Sequence, residues 1–191
     1  MNFDIILCGV GGQGGISVSV VIARAAMDSG LRVKQSEVHG MSQRGGEVLA
    51  HLRLGDLEPA SPTIPLGSAG LILSFEPLEA LRHLPWLSAA EGSLVSAIAP
   101  VRNIPTYPDL DQVLAALRSL PRSVLVDAEA LAREAGSAKA ANMVLVGAAA
   151  AFLPLPPESI EKAIVEVFSR KGEAVVEANV RAFRHGRAAH S

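Results

Sequence analysis

Seven residues near the start of the chain, Gly9-Val10-Gly11-Gly12-Gln13-Gly14-Gly15, constrain the fold more than any other feature. They follow an apolar run, Phe3 to Cys8, that reads as a buried parallel strand. They precede Ile16 to Ser29, where Val20, Ala23, Ala26 and Met27 recur at helical spacing. Gly30 suits the end of that helix, and Leu31 to Ser36 reads as a second strand. Strand, glycine turn, helix and strand, in that order, open a doubly wound α/β sheet. The turn matches G-x-G-x-x-G. Glycines there permit positive φ and let backbone N–H groups approach a diphosphate, and the helix N-terminus favours negative charge. Gly9, Gly11, Gly12, Gln13 and Gly14 are therefore candidate ligand contacts. The same turn also serves close packing of helix on strand.

The rest of the chain extends this pattern. From Glu47 to Leu54, Val48, Ala50, Leu52 and Leu54 alternate with Glu47, Leu49, His51 and Arg53, which predicts a third strand with one less buried face. Gly55 to Pro65, with Pro59 and Pro62, reads as a surface loop. Strands are expected at Leu71–Phe75, Ser93–Ala97 and Ser123–Val126. Helices are expected at Pro77–Leu84, Leu110–Leu120 and Ala128–Ala135, the last capped by Asp127. Asn142 to Phe152 reads as a buried helix capped by Asn142, with Gly147 allowing a close helix contact; Glu158–Arg170 and Glu173–Arg184 complete the chain. No repeat or splitting linker interrupts it. Residues 1–191 read as one three-layer, Rossmann-like α/β domain with a mostly parallel sheet. Only seven residues are aromatic, so the core rests on aliphatic side chains and alanine. A net charge of −2 gives no basic footprint for nucleic acid or a membrane surface. The chain start lacks signal-peptide character, and the most apolar later stretch, Met143–Leu153, is 11 residues. Both lead to the expectation of a cytoplasmic protein.

A second polar segment, Ser36-Glu37-Val38-His39-Gly40-Met41-Ser42-Gln43-Arg44-Gly45-Gly46, follows the second strand. It belongs at the C-terminal edge of the sheet beside the glycine turn, where open α/β sheets bind ligands. Glu37, His39, Met41, Ser42, Gln43, Arg44 and Gly45 are candidate ligand or interface residues there. In a nicotinamide reading, Glu37, 23 residues after Gly14, is the ribose-binding acid. An ordinary polar loop is the plainer alternative. Cys8 is the only cysteine and reads as strand core; it excludes an internal disulfide and a four-thiolate iron–sulfur cluster. No metal cluster is legible, since His39 and His51 sit on separate elements. Neither a P-loop nor a G-x-S-x-G elbow occurs, and no residue is assigned a catalytic role.

Taken together, G-V-G-G-Q-G at 9–14, S-E-V-H-G-M-S-Q-R-G-G at 36–46, Glu76-Pro77-Leu78-Glu79-Ala80 and N-M-V-L-V-G-A at 142–148 resemble one family. It is the gamma domain of the 2-oxoacid:ferredoxin oxidoreductases, most of all the form found as the separate beta subunit of the indolepyruvate enzymes. The resemblance implies a subunit for oxidative decarboxylation of pyruvate-type 2-oxoacids, inactive alone. It implies that Gly11, Gly12, Gln13 and Gly14 face the diphosphate of coenzyme A. Thiamine diphosphate, magnesium and [4Fe–4S] clusters are then held by a large partner subunit, and this chain holds no cofactor by itself. The implied partners are that subunit, ferredoxin through the complex and, in isolation, copies of this chain. The rival reading is an autonomous NAD(P)-dependent oxidoreductase on the same loop; a plain assembly scaffold is the third.

Overall fold

The computed structural model describes residues 1–39 and 45–189; Met41, Ser42, Gln43 and Arg44 lie outside the described residues. The first strand, β1 (Asn2–Val10), runs into the glycine turn and helix α1 (Gly15–Asp28). β2 (Arg32–His39) and β3 (Glu47–Gly55) follow, then β4 (Leu71–Ser74) and α2 (Pro77–His83). β5 (Ser93–Ala97), α3 (Leu110–Arg118), β6 (Ser123–Val126) and α4 (Ala128–Glu134) continue the alternation. Three helices close the chain: α5 (Ala141–Ala149), α6 (Pro157–Phe168) and α7 (Glu173–Ala189).

One six-stranded sheet carries the order β2-β3-β1-β4-β5-β6. β1, β4, β5 and β6 pair in parallel, as the βα alternation demands. The sheet's first strands depart from expectation. β3 is inserted between β1 and β2 and runs against both, with Val10 opposite Glu47 and His39 opposite Val48. The alternation of β3 foretold a strand but carried no information on its partner.

Period-two alternation divides the core between the two faces of the sheet. Ile5 and Leu7 of β1 point into the larger layer, with Val18 and Ile22 of α1, Met143 and Val144 of α5, Ile160 of α6 and Phe183 of α7. Ile6 and Cys8 point into the smaller one, with Ile72, Leu94, Ala80 of α2 and Val113 and Leu117 of α3. This is the expected three-layer α/β domain. Within it, α5 and α7 cross at two glycines. A Cβ on Gly147 would lie 2.0 Å from the Phe183 carbonyl oxygen, and one on Gly186 would lie 1.9 Å from that of Val144.

The segment 55–65 is tied down more firmly than a free surface loop. The Ile64 N–H donates to His51 Nδ1 at 3.2 Å, the Trp86 indole donates to the Ile64 carbonyl, and Arg53 reaches Asp4, Ser61 and Thr63. His51, on the face of β3 expected to be less buried, is thereby a buried loop anchor. Burial, together with the charges of His83 and Arg53, holds its pKa below the usual imidazole value. No helix among the described residues is long and apolar enough to cross a membrane.

Candidate functional site

β1 and β4 are neighbours, yet the helices that leave them pack on opposite faces, α1 with the larger core and α2 with the smaller. A crevice therefore opens at their C-terminal ends, where open α/β sheets bind ligands. The glycine turn forms one wall. Gly12 has φ +104° and Gly14, the N-cap of α1, has φ +83°, conformations that side-chain-bearing residues resist. No side chain caps α1. Among the described residues, the N–H groups of Gly15 and Ile16 have no acceptor. The first turn of a helix presents such donors together with roughly half a positive charge, which suits an anion.

The side chain of Gln13 has a structural task that its sequence setting did not announce. Its Oε1 accepts the Val10 N–H at 2.7 Å and its Nε2 donates to the Phe75 carbonyl at 2.9 Å. It thus clamps the turn to the end of β4. Gly9 is required by this clamp, because a Cβ there would lie 2.7 Å from Gln13 Oε1 and 2.9 Å from Phe75 Cβ. Gly12 is exposed, with nothing within 4 Å of its Cβ position, so it is open to a ligand.

The second polar segment returns to this turn. Gly11 donates to the Gly46 carbonyl at 2.8 Å, Gly45 donates to that of Gly11 at 3.5 Å, and Asn103 Nδ2 donates to Gly45 at 2.6 Å. The described end of the second segment, Gly45 and Gly46, therefore lies beside the glycine turn, as expected. Glu37 lines a cavity of about 440 Å³ with Gly11, Gly12, Gly14, Ser17 and Val48. Because β3 intervenes, Glu37 stands on a strand two positions from β1, about 9.6 Å away at the usual strand spacing. In a nicotinamide fingerprint the acid sits on the strand next to the glycine strand; this sheet breaks that arrangement.

Two residues of the crevice were missed in the sequence. Asn142 was expected to cap α5, but the helix starts at Ala141, out of a 3₁₀ turn at Ala138–Ala140. Asn142 instead points its Nδ2 to the Gly14 carbonyl at 3.3 Å, and its Oδ1 is buried without a hydrogen-bond partner among the described residues. Lys139, on that 3₁₀ turn, lines a cavity of about 350 Å³ with Gly12, Gln13, Val101 and Asn142. It also lines an adjoining one of about 660 Å³ with Ser17, Lys171 and Arg181. A cation, an orphaned acceptor and a helix N-terminus thus face one groove. No local pattern marks Lys139, and the motif at 142–148 did not show that Asn142 reaches Gly14; the fold brings both to the glycine turn.

Below the crevice, Glu76 is almost wholly buried and organises the 97–109 segment. It caps α2 through the Glu79 N–H and accepts from the Val101 N–H and the Tyr107 hydroxyl. Burial and the Glu76 carboxylate push the Tyr107 phenol pKa up. Cys8 is pushed up to about 12, chiefly by burial, so it is no nucleophile at neutral pH. Farther along α2, the fold gathers a group the sequence reading did not see: Glu47 of β3 with Glu79 and His83. Burial, with the nearby Glu47 and Glu76 charges, raises Glu79 to about 7 against the pull of Arg82.

Fold and crevice define a doubly wound type of α/β domain whose switch point carries a glycine turn with unpaired N–H donors, an arrangement suited to an anion. The sequence pattern of the pyruvate ferredoxin/flavodoxin oxidoreductase family matches residues 4–189, and the chain belongs to that family. It is 42% identical over 192 residues to the indolepyruvate oxidoreductase subunit IorB of Methanothermobacter thermautotrophicus, covering 97% of this chain and 96% of that protein. Among solved structures it resembles the pyruvate oxidoreductase subunit PORC of Thermotoga maritima, at 25% identity and TM-score 0.72, over 98% of this chain and 96% of the other. It also shares the fold of a 2-oxoglutarate:ferredoxin oxidoreductase from Magnetococcus marinus, at 21% identity and TM-score 0.77, covering 99% of this chain and 31% of that one.

Proposed function

We infer that this chain is the small, cluster-free subunit of a thiamine-dependent 2-oxoacid:ferredoxin oxidoreductase acting on arylpyruvates such as indolepyruvate. The end-to-end likeness to IorB carries this reading. The groove beside the glycine turn is then this chain's share of a coenzyme A site. The Magnetococcus marinus protein is described with coenzyme A and succinyl-CoA bound, which makes coenzyme A the ligand to test first. The residues present fit a diphosphate. The N–H groups of Gly15 and Ile16 and the Lys139 ammonium supply positive potential for it, while Asn142 Oδ1, a buried acceptor, suits a donor elsewhere on the coenzyme, such as an amide N–H of its pantetheine arm. Gly12 allows the phosphates to approach the backbone.

In this reading thiamine diphosphate, magnesium and [4Fe–4S] clusters sit in the large subunit. A cluster takes four thiolates, and Cys8 is the one thiol here. Oxidative decarboxylation releases CO₂, passes electrons to ferredoxin and leaves the acyl group on the coenzyme A thiol. The role of this chain is to hold the coenzyme and to dock on the subunit that carries out the redox steps. The second segment, with Arg44, is in this reading a candidate contact either for the coenzyme or for that junction. A complex that draws on coenzyme A and ferredoxin belongs, in this reading, to the cytoplasm.

The test is an assay with indolepyruvate, coenzyme A and a viologen acceptor, first with the purified chain and then with the large subunit added. No turnover alone and coenzyme A-dependent turnover together are expected. Turnover by the isolated chain would refute the reading. So would an assembled enzyme that acts on nicotinamide cofactors without ferredoxin or a viologen.

A further inference from the structure

We propose that Glu47, Glu79 and His83 form a binding site for one divalent first-row transition metal ion, of which Zn²⁺ is the natural probe. Glu79 and His83 are four residues apart on α2 and so share one face of the helix. Glu47, the first residue of β3, meets them from the strand. One ligand atom from each lies within 4.8 Å of the others, and Glu47 Oε1 is 3.2 Å from His83 Nε2. Bonds of about 2.0–2.2 Å to zinc put tetrahedral ligand atoms about 3.3–3.6 Å apart, so small side-chain rotations close the site.

Two independent features point to a cation there. His83 Nδ1 faces the Glu79 backbone carbonyl at 2.9 Å, and a carbonyl can only accept, so Nδ1 carries a proton. With Nδ1 committed to the carbonyl, Nε2 is the ring atom left facing Glu47 Oε1 at 3.2 Å, two ligand atoms placed to share one ion. This is also how metal-binding imidazoles are usually oriented, with the second nitrogen donating to a carbonyl. The second feature is Glu79. Its side chain is 6% exposed and its Oε2 is buried without a hydrogen-bond partner among the described residues. Such an orphaned carboxylate oxygen in a cluster of metal-binding side chains is an open coordination position. The Trp86 ring, 5.5 Å from that of His83, shields one side, while Glu47 is half exposed and gives the ion a way in. Arg82, 3.5 Å from Glu79 and 4.0 Å from Glu47, is the competing cation; it is half exposed and free to swing outward. Three protein ligands leave a fourth position for water. Because Glu47 follows Gly45 and Gly46, which bond to the glycine turn, the ion would pin the second segment to α2.

The experiment titrates the full chain, first stripped with a chelator, with ZnCl₂ by calorimetry and with CoCl₂ by visible absorption. One equivalent of Zn²⁺ is expected, together with the d–d bands of Co²⁺ held by nitrogen and oxygen ligands. Glu47→Gln and His83→Gln should each weaken binding at least tenfold. Glu47→Gln, at a half-exposed position, should melt like the parent without metal, which separates lost ligation from lost folding. The proposal is overturned if no equivalent binds. It is also overturned if both variants bind as the parent does, since the ion would then sit on other histidines.

Discussion

Replacing Gly147 with alanine tests whether the α5–α7 crossing is held by backbone contact. The added methyl would lie 2.0 Å from the Phe183 carbonyl oxygen and 3.0 Å from the Arg187 nitrogen, both backbone atoms that no rotamer change can move. Ordinary contact begins near 3.4 Å, so the helices must part by about 1.4 Å. A radial gap of even 0.5–1 Å forfeits roughly a quarter to a half of a dispersion contact, and the crossing is lined by fully buried Val144, Ala148, Ala182 and Phe183. Overpacking of this kind costs about 1–3 kcal/mol, and a backbone-to-backbone clash belongs at or above the upper end. Alanine returns about 0.8–1 kcal/mol of helix propensity. The expected net loss is about 2–3 kcal/mol, a fall in Tm of about 5–10 °C for a chain of this size. Urea denaturation and a thermal melt of the isolated chain measure both. Gly186→Ala should cost a similar amount. The double variant should lose less than the sum, because helices already parted at one glycine need not part again at the other. A Gly147→Ala protein as stable as the parent would refute the reasoning and show that the crossing slides freely.

Two further predictions concern the crevice and its support. Gly12→Val should raise the apparent KM for coenzyme A in the assembled enzyme more than that for the 2-oxoacid, with φ +104° adding strain to the turn. A melt of the isolated chain separates the two effects, and an unstrained melt with an unchanged coenzyme A response would reduce the turn to packing. Acid should loosen the 55–65 segment through His51. Its folded-state pKa is lowered, so the unfolded chain binds the proton more readily and stability falls as pH drops below the usual imidazole value. Protonation also removes the acceptor of the Ile64 N–H, so protection of Ile64 from hydrogen exchange, taken relative to the intrinsic rate at each pH, should fall between pH 7 and pH 5 in the parent. Equal protection at both pH values would sink this.

The limits of the sequence are physical and follow from one strand. The elements from β1 through α1 are local: an apolar run, glycines that permit positive φ, then a helix, each set by neighbours in the chain. The buried face of α1 was nevertheless misjudged, since Val20 and Met27 of the expected stripe are exposed while Val18, Val21, Ile22 and Ala25 join Ala26 inside. Asp127 caps α4 and Gly147 sits in a tight crossing, as their surroundings in sequence suggested. Pairing is different. The alternation of β3 states which side chains share a face, but not whether the strand lies at the edge or inside. Its insertion beside β1 turned a simple βαβ opening into an antiparallel trio and moved Glu37 away from the nicotinamide position. The same insertion brings Glu47, level with Val10, to the flank of α2, where Glu79 and His83 wait at a spacing of four. Without the partner strand, that spacing on a seven-residue helix looks like any solvated charge pair. Asn142 was misread as a helix cap, and the clamp made by Gln13 was not foreseen, for a related reason. Each has a local role open to it, as ligand contact or helix cap. Each is claimed instead by a distant backbone carbonyl, Phe75 for one and Gly14 for the other. Side-chain amides can satisfy either kind of partner, and only the assembled sheet edge decides which one is within reach.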